Sequence, residues 1–105
     1  MNSILTIGLS PTFQKQIVFS SFTENEVNRS NLHKEVCSGK AINVSRVLLH
    51  LGVPSTNITQ LGGPRVEEFL SLCKAESIDV KHILVDKTIR TCITLLNEEK
   101  HTSTE

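Results

Sequence analysis

The chain has 105 residues, enough for one small domain, and a chain of that size buries roughly 65% of its unfolded surface. Eleven Lys and Arg balance eleven Asp and Glu, and Trp and Tyr are absent. That balance argues against generic nucleic-acid binding, which draws on excess positive charge and aromatic stacking platforms.

The opening residues MNSILTIGLSP carry no positive charge and break at Gly8, Ser10 and Pro11. They lack the basic start and long apolar stretch of a signal peptide. No run approaches the roughly 20 apolar residues that span a bilayer. The expectation is a cytoplasmic protein with no membrane partner. Cys37, Cys73 and Cys92 lack CxxC spacing, as reduced thiols would. Sequons begin at Asn28, Asn43 and Asn57, and without a secretory signal they read as chance matches.

In chain order, Ile4 to Leu9 is an apolar run closed by small residues and reads as a buried strand. Ser10–Pro11–Thr12–Phe13–Gln14 then reads as a turn, standing at the strand's carboxyl end, where open α/β sheets bind ligands. Gln16 to Phe19 is a second short strand, followed by a polar stretch, and Leu32 to Cys37 is a weak third. Val44, Val47, Leu48 and Leu51 recur at helical spacing. They predict a helix from about Gly39 to Leu51, with Ser38 as N-cap and Gly52 and Pro54 as its stop. Asn57 to Leu61 reads as a strand ended by Gly62–Gly63–Pro64. Val66, Phe69, Leu70 and Cys73 predict a second helix, with Pro64 near its first turn. His82 to Val85 and Thr91 to Leu96 complete the strands. Strands alternating with helices predict a parallel sheet.

The segment SGKAINVSRVLLHLG, Ser38 to Gly52, carries the strongest local chemistry. A small-residue turn opening a helix gathers free N–H groups and the positive dipole end, which suits an anionic or polyhydroxy ligand. Gly39 permits close approach, Lys40 adds a cation, and Asn43 offers both donor and acceptor. Read locally, the same Gly–Lys pair is equally an ordinary dipeptide at a capped helix. It is not a P-loop, because Lys34 and Ala41 break GxxxxGK[ST]. Gln14 could hold sugar hydroxyls or belong to a plain turn. Glu26–Val27–Asn28–Arg29 reads locally as a solvated loop and Arg90 as a surface cation. His33 and Cys37 share a helical spacing, but two ligands make no zinc site.

Taken together, SPTFQ, ENEVNR, SGKAINVSRVLLHLGV, QLGG and TIRTCITL, in that order, resemble the start of a PfkB (ribokinase-like) carbohydrate kinase. The likeness is to the 1-phosphofructokinase and tagatose-6-phosphate kinase branch and covers essentially the whole chain. It implies an α/β ribokinase-like fold: a parallel sheet flanked by helices, plus a small β-lid from about residues 14–37 and 91–97. It implies a homodimer through that lid and a sugar phosphate as substrate, with ATP and Mg2+ as cofactors of the intact parent. Carried over by position, it implies substrate contacts at Gln14, Gly39, Lys40, Asn43, Arg90 and Arg29. Arginine suits phosphate because its fork pairs bidentately.

This sequence departs from the family in places. Gln14 stands where the family has Asp, Ser38 and Ala41 replace two glycines, and TIRTCI lacks the final Asn of TRxN, with Thr91 or Cys92 nearby. The family's catalytic Asp, in a later GxGD motif, and its nucleotide pocket have no counterpart in these residues. The expectation is therefore an N-terminal, substrate-side portion with no catalytic residue, metal or cofactor of its own, inactive alone. Two other readings stay open. One is a ribokinase-like enzyme acting on an unphosphorylated sugar or nucleoside. The other is a non-catalytic truncated binding or dimerisation module.

Overall fold

In the computed structural model, which describes residues 3–105, strand β1 (Ile4–Gly8) pairs in parallel with β4 (Ser55–Leu61), and β4 with β5 (Val80–Leu84). Helices α1 (Lys40–His50) and α2 (Val66–Ala75) connect through these strands in the predicted α/β alternation. Four further strands form a second sheet in the order β3-β2-β6-β7: β2 (Thr12–Phe19), β3 (Leu32–Ser38), β6 (Arg90–Asn97) and β7 (Thr102–Thr104). In it β2 runs antiparallel to β3 and parallel to β6, while β7 folds back on β6.

Two sequence expectations are corrected here. The segment Thr12 to Gln14 is strand, not turn: Thr12 faces Ser38 on one side and Arg90 on the other. Pairing with both neighbours fixes an extended backbone that the local Ser–Pro signal does not announce. Strand β7, in the polar tail, carries no apolar alternation, and its exposed residues were not expected to pair.

Helix α1 begins one residue later than Ser38 capping requires. Ser38 closes β3, and Gly39 is the N-cap, at φ 116 and ψ 154 with no side-chain cap. That region is open essentially to glycine alone. A Cβ there would lie 3.2 Å from Pro11 Cα and 3.3 Å from Ser10 O. The far end stops as expected: Val53 N–H bonds Leu48 O and Gly52 N–H bonds Leu49 O, a Schellman closure with Gly52 at φ 74.

The apolar stripe of α1 does not face the sheet. Val47 and Leu51 are 56% and 70% exposed, whereas Ile42 and Ser45 are buried. The sheet surface beneath the helix is polar, and Ser45 suits it. Ser45 Oγ and Thr6 Oγ1 are 2.8 Å apart, and Asn57 Nδ2 donates to Thr6 Oγ1 at 2.8 Å. Leu5 and Ile7, on the other face of β1, are also exposed.

The core gathers where α2 meets the root of the second sheet. Phe13, Cys37, Ile42, Leu61, Phe69 and Cys73 are almost wholly inaccessible. Phe13 and Phe69 meet edge to face with centroids 5.4 Å apart, and the Arg65 guanidinium stacks 3.7 Å over Phe13. Arg65 also pairs with Glu35 and Glu68, which tie β3 to the start of α2.

Candidate substrate cavity

A cavity of about 390 Å3 opens at the carboxyl end of β1, against the N-terminus of α1. Its wall includes Gly8, Ser10, Gly39, Lys40, Thr59 and Arg90. The helix end is bare. The first intrahelical bond runs from Asn43 N–H to Gly39 O, and no side chain caps the turn. The N–H groups of the first turn are thus left for another acceptor. Lys40 and Arg90 are the charged lining residues, and no carboxylate of the described residues lines the space. Bare amides, dipole and two cations favour an anion.

Close packing of backbone shapes this corner. A Cβ on Gly8 would come within 2.8 Å of Ala41 Cβ, so β1 and α1 approach as only glycine allows. Thr59 Oγ1 donates to Gly8 O at 2.8 Å, and Gln60 Nε2 donates to Leu9 O at 2.9 Å, holding the turn after β1.

Arg90 arrives from β6. Its Nε donates to Ser10 Oγ at 3.1 Å, one terminal nitrogen reaches Ser10 O at 3.4 Å, and the other reaches Cys92 Sγ at 3.2 Å. A narrower cleft of about 190 Å3 lies on the other side of Ser10 and Arg90, with Lys87 on its wall.

Of the residues named from sequence, Gly39, Lys40 and Arg90 therefore meet in one cavity. Three do not line it. Asn43 sits one turn into α1, where its Oδ1 accepts from Arg46 at 2.8 Å. Gln14 lies on β2 and donates from Nε2 to Thr94 Oγ1 at 2.7 Å. Arg29 is exposed in the loop between β2 and β3, a loop pinned by Asn28, whose Nδ2 donates to Thr23 O at 2.8 Å. Sequence reasoning missed Ser10 and Lys87 as individual contacts. Ser10 sat inside the segment singled out after β1, but nothing local distinguished it from its neighbours.

A charged knot anchors the helix behind the cavity. Arg46 donates from Nε to Glu76 Oε1 at 2.6 Å and from a terminal nitrogen to Glu76 Oε2 at 2.8 Å and Cys37 O at 2.7 Å. Arg46 holds the Glu76 carboxyl below its ordinary range, and Glu76 raises Arg46 in turn. Cys37 Sγ–H donates to Glu76 Oε2 at 3.4 Å. The neighbouring Cys37 and Cys73 thiols shift in opposite directions: interaction with Cys73 lowers Cys37, and interaction with Cys37 together with burial raises Cys73.

Mg2+ prefers carboxylate and phosphate oxygens. The described residues contain no cluster of three His, Cys, Asp or Glu, and Asp79 and Asp86 do not line the cavity. These residues do not fit a metal–nucleotide complex by themselves. No helix of the described residues is long and apolar enough to cross a membrane.

The sheet, the glycine-opened helix and the cationic cavity together define an α/β fold with an anion-favouring cavity at the start of α1. The pfkB family carbohydrate kinase model matches residues 1–105, and the chain belongs to that family. It is 42% identical over 60 residues to a 1-phosphofructokinase of Borreliella burgdorferi, a match covering 57% of this chain and 20% of that protein. Phosphofructokinase-2 from Escherichia coli, solved in complex with fructose-6-phosphate, shares the fold at TM-score 0.90. Its identity is 24%, with 99% of this chain and 34% of that one covered. A possible 1-phosphofructokinase from Thermotoga maritima superposes at TM-score 0.87 with 29% identity, covering 98% and 34%. The chain thus spans about a third of the length of these solved relatives.

Proposed function

We propose that this chain is the substrate-side portion of an ATP-dependent hexose-phosphate kinase of the 1-phosphofructokinase type, and that its cavity receives the phosphosugar. The observation that carries this reading is Arg90 beside the bare N-terminus of α1 and Lys40, with no described carboxylate on the wall. An arginine fork and a row of amides recognise phosphate geometry, and a neutral sugar gains little from either.

In this reading the chain binds and orients. Gly39 and the first-turn amides lie against the sugar or its phosphate, and Lys40 and Arg90 supply charge. ATP with Mg2+ provides the transferable phosphoryl group when bound to the rest of such a kinase. Positioning and charge stabilisation supply most phosphoryl-transfer catalysis. Among the described residues no carboxylate lines the cavity to serve as a base, and in this reading turnover belongs to a full-length protein. Its remaining portion would cover the exposed Leu5, Ile7 and Ile83. The second sheet serves as the lid, with exposed Leu32 and Ile93 available for pairing between two copies in the cytoplasm. Gln14 and Arg29 come to the substrate only if the lid and its partner close on it, and Asn43 only if its side chain leaves Arg46.

The direct test is calorimetric titration of the chain with fructose 1-phosphate, fructose 6-phosphate and free fructose, repeated in Arg90→Ala. Binding of the phosphosugars that weakens in the variant supports the reading. A preference for free fructose, or affinity indifferent to Arg90, favours a kinase of unphosphorylated sugars. Size-exclusion with light scattering reads the dimer.

A further inference from the structure

Arg90 and Cys92 are two apart on β6, so their side chains leave the same face of the strand. The sulfur sits 3.2 Å from a terminal guanidinium nitrogen. It also lies 3.5 Å from Thr12 Oγ1, which in turn is 3.1 Å from Arg90 O. Ser10 takes the other edge of the fork through its hydroxyl and its carbonyl. Guanidinium carries five N–H groups. These contacts use Nε–H and one N–H on each terminal nitrogen. One N–H on each terminal nitrogen is then left over, a pair matched to two oxygens of a phosphate.

Arginine free in solvent surrenders much rotamer freedom when it grips a ligand. Arg90 is exposed, yet here the freedom is already spent on protein contacts, which is preorganisation. Ser10 alone grips a single edge and leaves the planar fork free to tilt about that edge. The Cys92 sulfur supplies the opposing contact.

We propose that Cys92 is a positioning residue for the anion site: its sulfur, opposite Ser10, fixes the Arg90 fork so that the remaining N–H pair meets an incoming oxyanion. This rests on the reading of the cavity as a phosphate site.

The test follows the Arg90 side chain itself. Nitrogen-15 relaxation of the Arg90 Nε–H is measured in the wild type, Cys92→Ala, Cys92→Val and Cys92→Ser, alongside titration with inorganic phosphate. Valine fills the space without accepting a hydrogen bond, so it reads the contact even where alanine perturbs folding. Serine keeps an acceptor. Expected are a lowered Nε–H order parameter in the alanine and valine variants and its recovery in serine. Phosphate affinity should fall about fivefold in the first two, the size of one ordinary hydrogen bond. An unchanged order parameter in alanine and valine overturns the proposal, whatever phosphate does. Phosphate binding that Arg90→Ala weakens and Cys92→Ala does not also overturns it, while leaving the cavity reading intact. If Arg90→Ala binds phosphate as the wild type does, the cavity reading fails and this role falls with it.

Discussion

Arg46 on α1 and Glu76, the residue that closes α2, face each other through two parallel bonds of 2.6 and 2.8 Å. The same guanidinium reaches back to Cys37 O at the end of β3. One side chain thereby sets the spacing between the cavity helix, the second helix and the strand leading into Gly39.

Glu76→Gln should therefore lower stability by about 1 kcal/mol, a figure discounted because both side chains are partly solvated. Urea denaturation at neutral pH measures it. The pH dependence has a definite sign. A carboxyl held below its unfolded value adds stability that is fully present above that value, near 4.5. The contribution fades as pH falls through the lowered native value. The gap between wild type and variant should close under acid and stay constant from about pH 5 to 8. A gap that persists in acid would assign the effect to packing instead.

Gly39→Ala should cost about 1–3 kcal/mol, because its backbone occupies a region other residues avoid. The added methyl would also press on Pro11 and Ser10. Thermal unfolding reads the loss. Phosphosugar binding should weaken as well, since the turn is a wall of the cavity.

Phe69→Ala should cost about 3–5 kcal/mol. The ring is fully buried and packs edge-on against Phe13. Total stability of small domains is about 5–15 kcal/mol, so this variant should sit near the unfolding threshold. Circular dichroism with and without a stabilising osmolyte checks it.

Lys40→Ala should reduce phosphosugar affinity about threefold, because a solvated cation contributes modestly. The difference should shrink as salt rises toward about 1 M, where screening acts over roughly 3 Å. Calorimetry at two salt concentrations decides. A salt-independent loss would mean that Lys40 acts through the helix start rather than through charge.

The sequence shows features that neighbours along the chain determine. The period of Val66, Phe69 and Cys73 gives α2 and its buried face, Gly52 gives the stop of α1, and the Gly39–Lys40 turn gives the helix start that lines the cavity. It is silent where distant segments decide. Thr12 to Gln14 becomes strand because β3 and β6 lie on either side. The valine stripe of α1 looks core-facing, yet the sheet presents Thr6 and Asn57 beneath the helix and takes Ser45 instead. Ser10 and Cys92 become partners of Arg90 only once β6 is laid beside β2. Gln14 and Asn43 are spent on Thr94 and Arg46, contacts that no local spacing encodes.

That parallel pairing of β2 with β6 also bears on how the molecule assembles. Thr12 and Arg90 are 78 positions apart, yet they stand in register. Closing so long a loop costs entropy before any ladder bond repays it, and pairings of this kind slow folding. The expected course is rapid formation of α1 and α2, then a slower phase in which β6 docks. Stopped-flow refolding should show cavity binding recovering with the slow phase and helical signal with the fast one. On that course Arg90 is delivered by the strand that docks late, so a partly folded chain would have the amides of α1 in place before it has Arg90.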